Sequence, residues 1–288
     1  MLNLIKKNLN KDESIIINLI IIKKLSNNTS YYNIFLKGGI GTQIIRFLSG
    51  IGRAIKNGVI PSRINIIRCL YKNSGEDLKW FYINSEDLSS YISLNPQINY
   101  QINPNINRNL VKTDPFNQET LGYIKIALES EISYFYYKLK EDFYNNIDRE
   151  EDKNVVWVRG KNKISNIDHI YNYLIKKQLN TGQKTNILTN DIESISKSKL
   201  SKYKVSGGQP KEDFKILINS ENIITQLSGF TMAPFLLSKY PQELVFLSKD
   251  SHINDEYPNL EKDWEFFISL CEIMNNINPE KKYKVEIN

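Results

Sequence analysis

The chain has 288 residues, 41% of them hydrophobic, which is enough core for one large domain or two of ordinary size and excludes a disordered or fibrous protein. Its net charge of +6 comes from 38 basic and 32 acidic residues intermixed along the chain, without the basic stripe of a dedicated nucleic-acid binder; an anionic small ligand fits this balance as well as a polyanion. The two cysteines, Cys69 and Cys271, are far apart and form no Cys/His cluster, so no zinc site and no disulfide framework is expected and a cytoplasmic location is the default.

The first element in chain order is "SIIINLIIIKKL". It is too short to span a bilayer, carries Asn18 and lacks a small-residue cleavage site, so it reads as a buried strand. A weak membrane-surface contact for Met1 to Lys24, with its five lysines, stays open. "IFLKGGIGTQIIRFLSGIGRAIKNG", Ile34 to Gly58, predicts a strand, a glycine turn and a long helix. Ile44, Leu48, Ile51 and Ile55 form the expected buried face, Arg46 and Arg53 share another, and Asn57-Gly58 is the stop. Short apolar runs follow ("RINIIRCLY", "LKWFYI"), consistent with strands and irregular connections. From Gln118 to Ile147, apolar residues at Ile124, Leu128, Ile132, Phe135, Leu139 and Phe143 predict one long helix. The charged "DREEDKN" is the linker candidate.

A second α/β series begins beyond it. "VVWVRG", "TNILTN" and "NIITQLS" read as strands; "DHIYNYLIKKQL", "DIESISKSKL" and "TMAPFLLSK" read as helices. The alternation predicts a mostly parallel sheet with helices on both faces, with ligands beyond the carboxyl ends of the strands. The expected organisation is two domains, 1–150 and 151–288, facing a cleft. Asn, Ile and Lys are conspicuously common, and the spread of Asn through all segments reads as compositional bias.

Gly38, Gly39 and Gly41 form neither a Walker A loop, since no Lys-Ser/Thr follows, nor a dinucleotide fingerprint, since Ile44 stands at its third glycine. A glycine turn between strand and helix brings backbone close to a ligand and offers helix-start amides to oxygen atoms. On residue chemistry alone it reads equally as a tight connection with no ligand. His169, on an expected helix, and His252, in a late loop, have no partners at ligand spacing, so no metal centre is expected.

"LKGGIGTQIIRFLSGIGRAI" resembles the "GGLGNQ" opening of the α-1,2-fucosyltransferases of glycosyltransferase family 11, within the wider fucosyltransferase superfamily. The resemblance continues in order: "VVWVRGKN" falls where the family has an "HxRRGD"-like strand end. "ILTNDIESISK" is similar to its "SDDIEW"-type segment, and "EDFKILINSENIITQLSGFTMAPFLLSK" to its "DLxLMSxCxxxIIANSTFSWWAAxL" block. Together these cover roughly residues 31 to 264. The resemblance implies a GT-B architecture, two Rossmann-like domains facing an interdomain cleft, with the acceptor side in the first half. It implies inverting, metal-independent transfer of fucose or a related deoxysugar from a GDP-sugar donor to a glycan hydroxyl, with no further cofactor.

The expected donor-binding residues are Gly39, Gly41, Gln43, Arg159, Asp191, Ser228 and Thr231, with Arg159 also the catalytic candidate. Arg159 matches the first arginine of the family motif, and a guanidinium fork is suited to the charge that grows on a departing diphosphate. Apart from the resemblance, an arginine at a strand end reads sooner as the partner of a surface carboxylate. Ser228 and Thr231 match hydroxyl residues of the "STFS" block and read equally as caps of the following helix, with Pro234 in its first turn. Asp191 matches a position implied to face guanine, or caps its helix. Asp213 and the apolar run after it read as packing. The chain departs from the family at Thr42 (Asn in the motif), Trp157 (His), Gly160 (second Arg) and Asn162 (acidic end), with Lys161 and Lys163 adding flexible charge nearby. These departures leave open a different donor sugar or nucleotide, or a non-catalytic nucleotide- or glycan-binding protein; nucleic-acid binding is the least supported.

Overall fold

The computed structural model describes residues 31–69, 87–103, 117–144, 153–159, 167–179, 185–247 and 260–286. The expected strand within residues 14–25, "LKWFYI", most of the linker candidate and His252 lie outside the described residues. The chain divides into two compact units. The first comprises Met1–Gly38, Gln43–Ile83 and Ile92–Lys138, and the second Gly39–Thr42, Asn84–Tyr91 and Leu139–Asn288.

In the first unit, β1 (Tyr32–Leu36), β2 (Ile64–Cys69) and β4 (Asn99–Asn103) form a parallel sheet in the order β1-β2-β4. Asn33, Asn65 and Asn99 are in register, and their amides join in a ladder: Asn65 donates to Asn33 and Asn99 to Asn65, each at 3.1 Å. Asparagine at these three positions is therefore a structural element of the sheet, not merely bias. Helix α1 (Ile40–Lys56) buries Ile44, Ile45, Phe47, Leu48, Ile51 and Ala54 completely, a wider stripe than the one expected, and leaves Ile55 half-buried. It ends in a Schellman turn in which Gly58 (φ 65°) donates to Ile55 O at 3.1 Å and Val59 to Ala54 O at 2.9 Å.

The single helix expected over Gln118–Ile147 is not what forms. Helix α2 spans Gln118–Glu129, and 3₁₀ turns at Ser133–Phe135 and Glu141–Phe143 flank a short strand, β5 (Tyr137–Leu139), that pairs with β3 (Ile92–Leu94). Ser133 decides the break, because its hydroxyl donates to the Ala127 carbonyl while its amide donates to Ser130 O, closing the helix end. The aromatic run behind it suits a strand better than a helix. Ile124, Ile132 and Phe143 are buried as their spacing implies, but from three different elements.

The second unit holds a six-stranded sheet: β6 (Asn154–Val158), β7 (Thr185–Thr189), β8 (Lys204–Gly207), β9 (Asn222–Thr225), β10 (Gln242–Leu247) and β11 (Lys281–Glu286). All pairings are parallel, in the order β8-β7-β6-β9-β10-β11. In chain order this is the 3-2-1-4-5-6 arrangement of a Rossmann-type sheet. The interior strands β6 and β7 are buried along their whole length, as strands covered on both faces must be.

On one face, Val156, Val158, Ile187, Ile224, Val245 and Leu247 pack with Ile170 and Leu174 of α3 (Ile167–Lys176) and Ile195 of α4 (Ile192–Ser196). Each such fully buried aliphatic side chain contributes about 1.5–3 kcal/mol. The alternate residue Trp157 meets Phe230 of α6 (Gly229–Leu237), which meets Phe214 of α5 (Pro210–Asn219), so helices cover the opposite face as well. Helix α6 starts two residues earlier than expected, which puts Pro234 inside the helix and not in its first turn. The 18-residue α7 (Leu260–Ile277) precedes β11. Among the described residues no helix is long and apolar enough to cross a membrane. Both cysteines are free thiols, and burial pushes each of them up from its ordinary pKa.

At the amino-terminal edge of this sheet, Gln242 Nε2 lies 2.8 Å from Leu217 O, 3.1 Å from Ile218 O and 2.9 Å from Ser220 O, closing the end of α5. Its Oε1 accepts from Lys281 Nζ at 3.1 Å, and Lys281 also donates to Phe235 O of α6 at 2.8 Å. Lys281 is fully buried, none of these partners is a carboxylate, and burial lowers its pKa from 10.5 to about 7. Between those values the unfolded chain carries a proton that the folded one has released, so stability rises with pH across that window. Below about 7 the fold carries the whole penalty of the buried charge. Chemical denaturation between pH 7 and 8.5 is expected to show stability rising in the wild type, with the Lys281→Met variant losing most of that slope; equal slopes would refute the assignment.

Candidate functional site

Strand order reverses between β6 and β9, whose connections leave toward opposite faces of the sheet. In open α/β sheets this is where ligands bind, beyond the carboxyl ends of the strands. The pairing Trp157↔Thr225 aligns the two strand ends. Arg159 follows β6 directly and is half-buried. Gln226–Ser228 follow β9 and lead into α6, and Asp191 follows β7. The sheet thus brings the segments of Arg159, Asp191, Ser228 and Thr231 to one edge of the second unit.

Ser228 is the N-cap of α6, and its hydroxyl oxygen accepts from Phe230 N at 3.2 Å. Thr231 N and Met232 N donate to Ser228 O at 3.2 and 3.1 Å. Three amides of the first helical turn therefore already have partners within the chain. Thr231 is fully buried; its hydroxyl donates to Ser228 O at 2.9 Å and lies 3.1 Å from the Thr225 hydroxyl. It stabilises the loop from within, whereas the half-buried Ser228 keeps a hydroxyl hydrogen to donate outward.

Asp191 caps α4: Oδ1 accepts from Ser194 N at 3.3 Å and Oδ2 from the Ser194 hydroxyl at 2.8 Å. Asp213 is 4% exposed in the first turn of α5, in keeping with a packing role. His169 lies on α3, and no group of three or more His, Cys, Asp or Glu side chains is gathered at metal-binding distance among the described residues.

The glycine turn has a steric explanation at one position. A Cβ placed on Gly41 falls 2.1 Å from Gly229 O and 2.5 Å from Phe230 N, both backbone atoms of the second unit, to which Gly41 also belongs. Only a residue without a side chain allows the chain start of α1 to lie against the start of α6 in this way. Gly38 (φ 87°) adopts the left-handed conformation that reverses the chain. A Cβ on Gly39 meets nothing within 4 Å, so packing does not require glycine there. Gln43, in the first unit, is 1% exposed; its Nε2 donates to Gly38 O at 2.9 Å, and among the described residues its buried Oε1 has no hydrogen-bond partner.

In the sequence, Trp157 stands out only as a departure from a motif. The ring is 7% exposed and packs on Phe230 with centroids 4.8 Å apart and an interplanar angle of 41°. An indole inside an otherwise aliphatic strand was the available signal, but its neighbour comes from 73 positions further on in the numbering (157 to 230) and was not visible in local spacing.

Compared with known protein families and with curated proteins, the chain matches none.

Two glycine substitutions separate packing from ligand access. Gly41→Ala is expected to cost roughly 2 kcal/mol or more, because two stretches of backbone must move apart, while Gly39→Ala leaves stability nearly unchanged. Urea denaturation of both variants checks this; a stable Gly41→Ala protein would refute the close approach.

Proposed function

We propose that the protein is a nucleotide-sugar-dependent glycosyltransferase of the GT-B type. In this reading the second unit holds a GDP-sugar donor, the first provides the acceptor side, and fucose or a related deoxysugar passes with inversion to a glycan hydroxyl. One observation carries the reading: Arg159 and Ser228 lie on the loops that leave β6 and β9 at the reversal of strand order. The ordered resemblance to glycosyltransferase family 11 supports it at the same segments.

As the bond from anomeric carbon to diphosphate breaks, charge accumulates on the leaving phosphate oxygens. Arg159 meets it with paired guanidinium N–H donors and Ser228 with its hydroxyl, so their attraction is strongest in the transition state. Gly39, with open space where a side chain would stand, allows the donor to approach the backbone. Gln43 and Gly41 belong to the same turn, Gly41 for its packing and Gln43 through its bond to Gly38.

A second reading, a nucleotide- or glycan-binding protein without transfer, draws on the inward-facing Thr231 hydroxyl and on Trp157 at the position of the motif histidine. It differs from the first in giving donor binding with no product.

A thermal-shift panel of nucleoside diphosphates and their sugars tests the donor class, since a ligand that binds only the folded state raises its melting temperature. A selective rise with GDP compounds is expected. Arg159→Ala is expected to lower turnover by a hundredfold or more and to weaken GDP binding; wild-type values of both would remove the role assigned to it.

A further inference from the structure

We propose that the indole N–H of Trp157 donates to a phosphate oxygen of the bound nucleotide, a specificity contact that rests on the nucleotide-binding reading above. Among the described residues the buried Nε1 of Trp157 has no hydrogen-bond partner, in a side chain that is 7% exposed. Buried N–H groups in native proteins almost always have one, and phenylalanine here would keep the ring packing without leaving a donor unmatched. The nitrogen calls for an acceptor that the described residues do not supply.

The surroundings specify the kind of acceptor. The ring lies against Phe230, in the first turn of the nine-residue α6, where the helix dipole is positive and favours anions. One strand period further on is Arg159, a permanent cation. Phe214 backs Phe230 at 6.2 Å and Tyr91 backs Phe214 at 4.8 Å, so the indole is held by a chain of rings. Indole N–H is a donor only, and it is neutral at every working pH. A negatively charged oxygen matches all three features; a guanine carbonyl matches only the first. Tryptophan at this position also makes phosphate recognition independent of pH in the range where a histidine titrates.

Isothermal titration of wild type and Trp157→Phe with GDP, inorganic pyrophosphate and guanosine tests the proposal. The variant is expected to lose about tenfold or more in affinity for GDP and pyrophosphate and none for guanosine. Its ligand-free melting temperature should be equal to or above that of the wild type. Unchanged GDP and pyrophosphate affinities, or an equal loss for guanosine, overturn this inference and leave the nucleotide reading standing. A wild-type protein that binds neither GDP nor pyrophosphate overturns both. Should Trp157→Phe fail to fold, ¹⁵N-tryptophan labelling gives the same decision in the native chain. Trp80→Phe and Trp264→Phe assign two of its three indole peaks. The remaining one is expected to move downfield with pyrophosphate, and a stationary peak overturns the contact.

Discussion

The pairing of β6 with β9 is the constraint on which the second unit depends. Strands that follow one another in sequence build outward from β6 to β8 on one side, and β9 must then return across the sheet to lie on the other side of β6. Because a parallel crossover has a fixed hand, the reversal sends the connections after β6 and β9 to opposite faces. Arg159 directly follows β6 and Ser228 follows β9 at this reversal, and the rings of Trp157 and Phe230 pack on each other next to them in the chain.

Much of this was legible in the sequence, for reasons that differ along the chain. "VVWV" and "TNILT" are recognisable because strands buried on both faces are continuous apolar runs, and the alternation with helices fixes the parallel class. The edge strands β8 and β11 carry exposed lysines and lack such a run, so they escape periodicity. The run behind Ser133 has helical spacing and still forms a turn and a strand, because a single hydroxyl taking a helix-end carbonyl outweighs a weak pattern. Apolar spacing tells which residues go inside; it does not tell which element carries them.

The polar positions of the site divide differently. Ser228, Thr231 and Asp191 are each open to a ligand role or a local structural role, and the local hydrogen bonds are formed at all three. Such bonds are made within a few residues, so an ST- or Asx-type cap is as readable as the motif itself. What sequence spacing does not convey is tertiary approach. The need for glycine at position 41 comes from Gly229, and the burial of the Trp157 indole comes from Phe230.

Lys281 reaches back 46 positions to Phe235 and 39 to Gln242. A nascent chain emerging from the ribosome therefore presents α5, α6 and β10 before the Lys281 side chain that ties their ends together is available. Contacts of such long sequence separation close late and slowly. Until residue 281 has been released, the amino-terminal edge of the sheet is an unfinished seam, with the Phe235 carbonyl and the Gln242 amide oxygen still waiting for their donor.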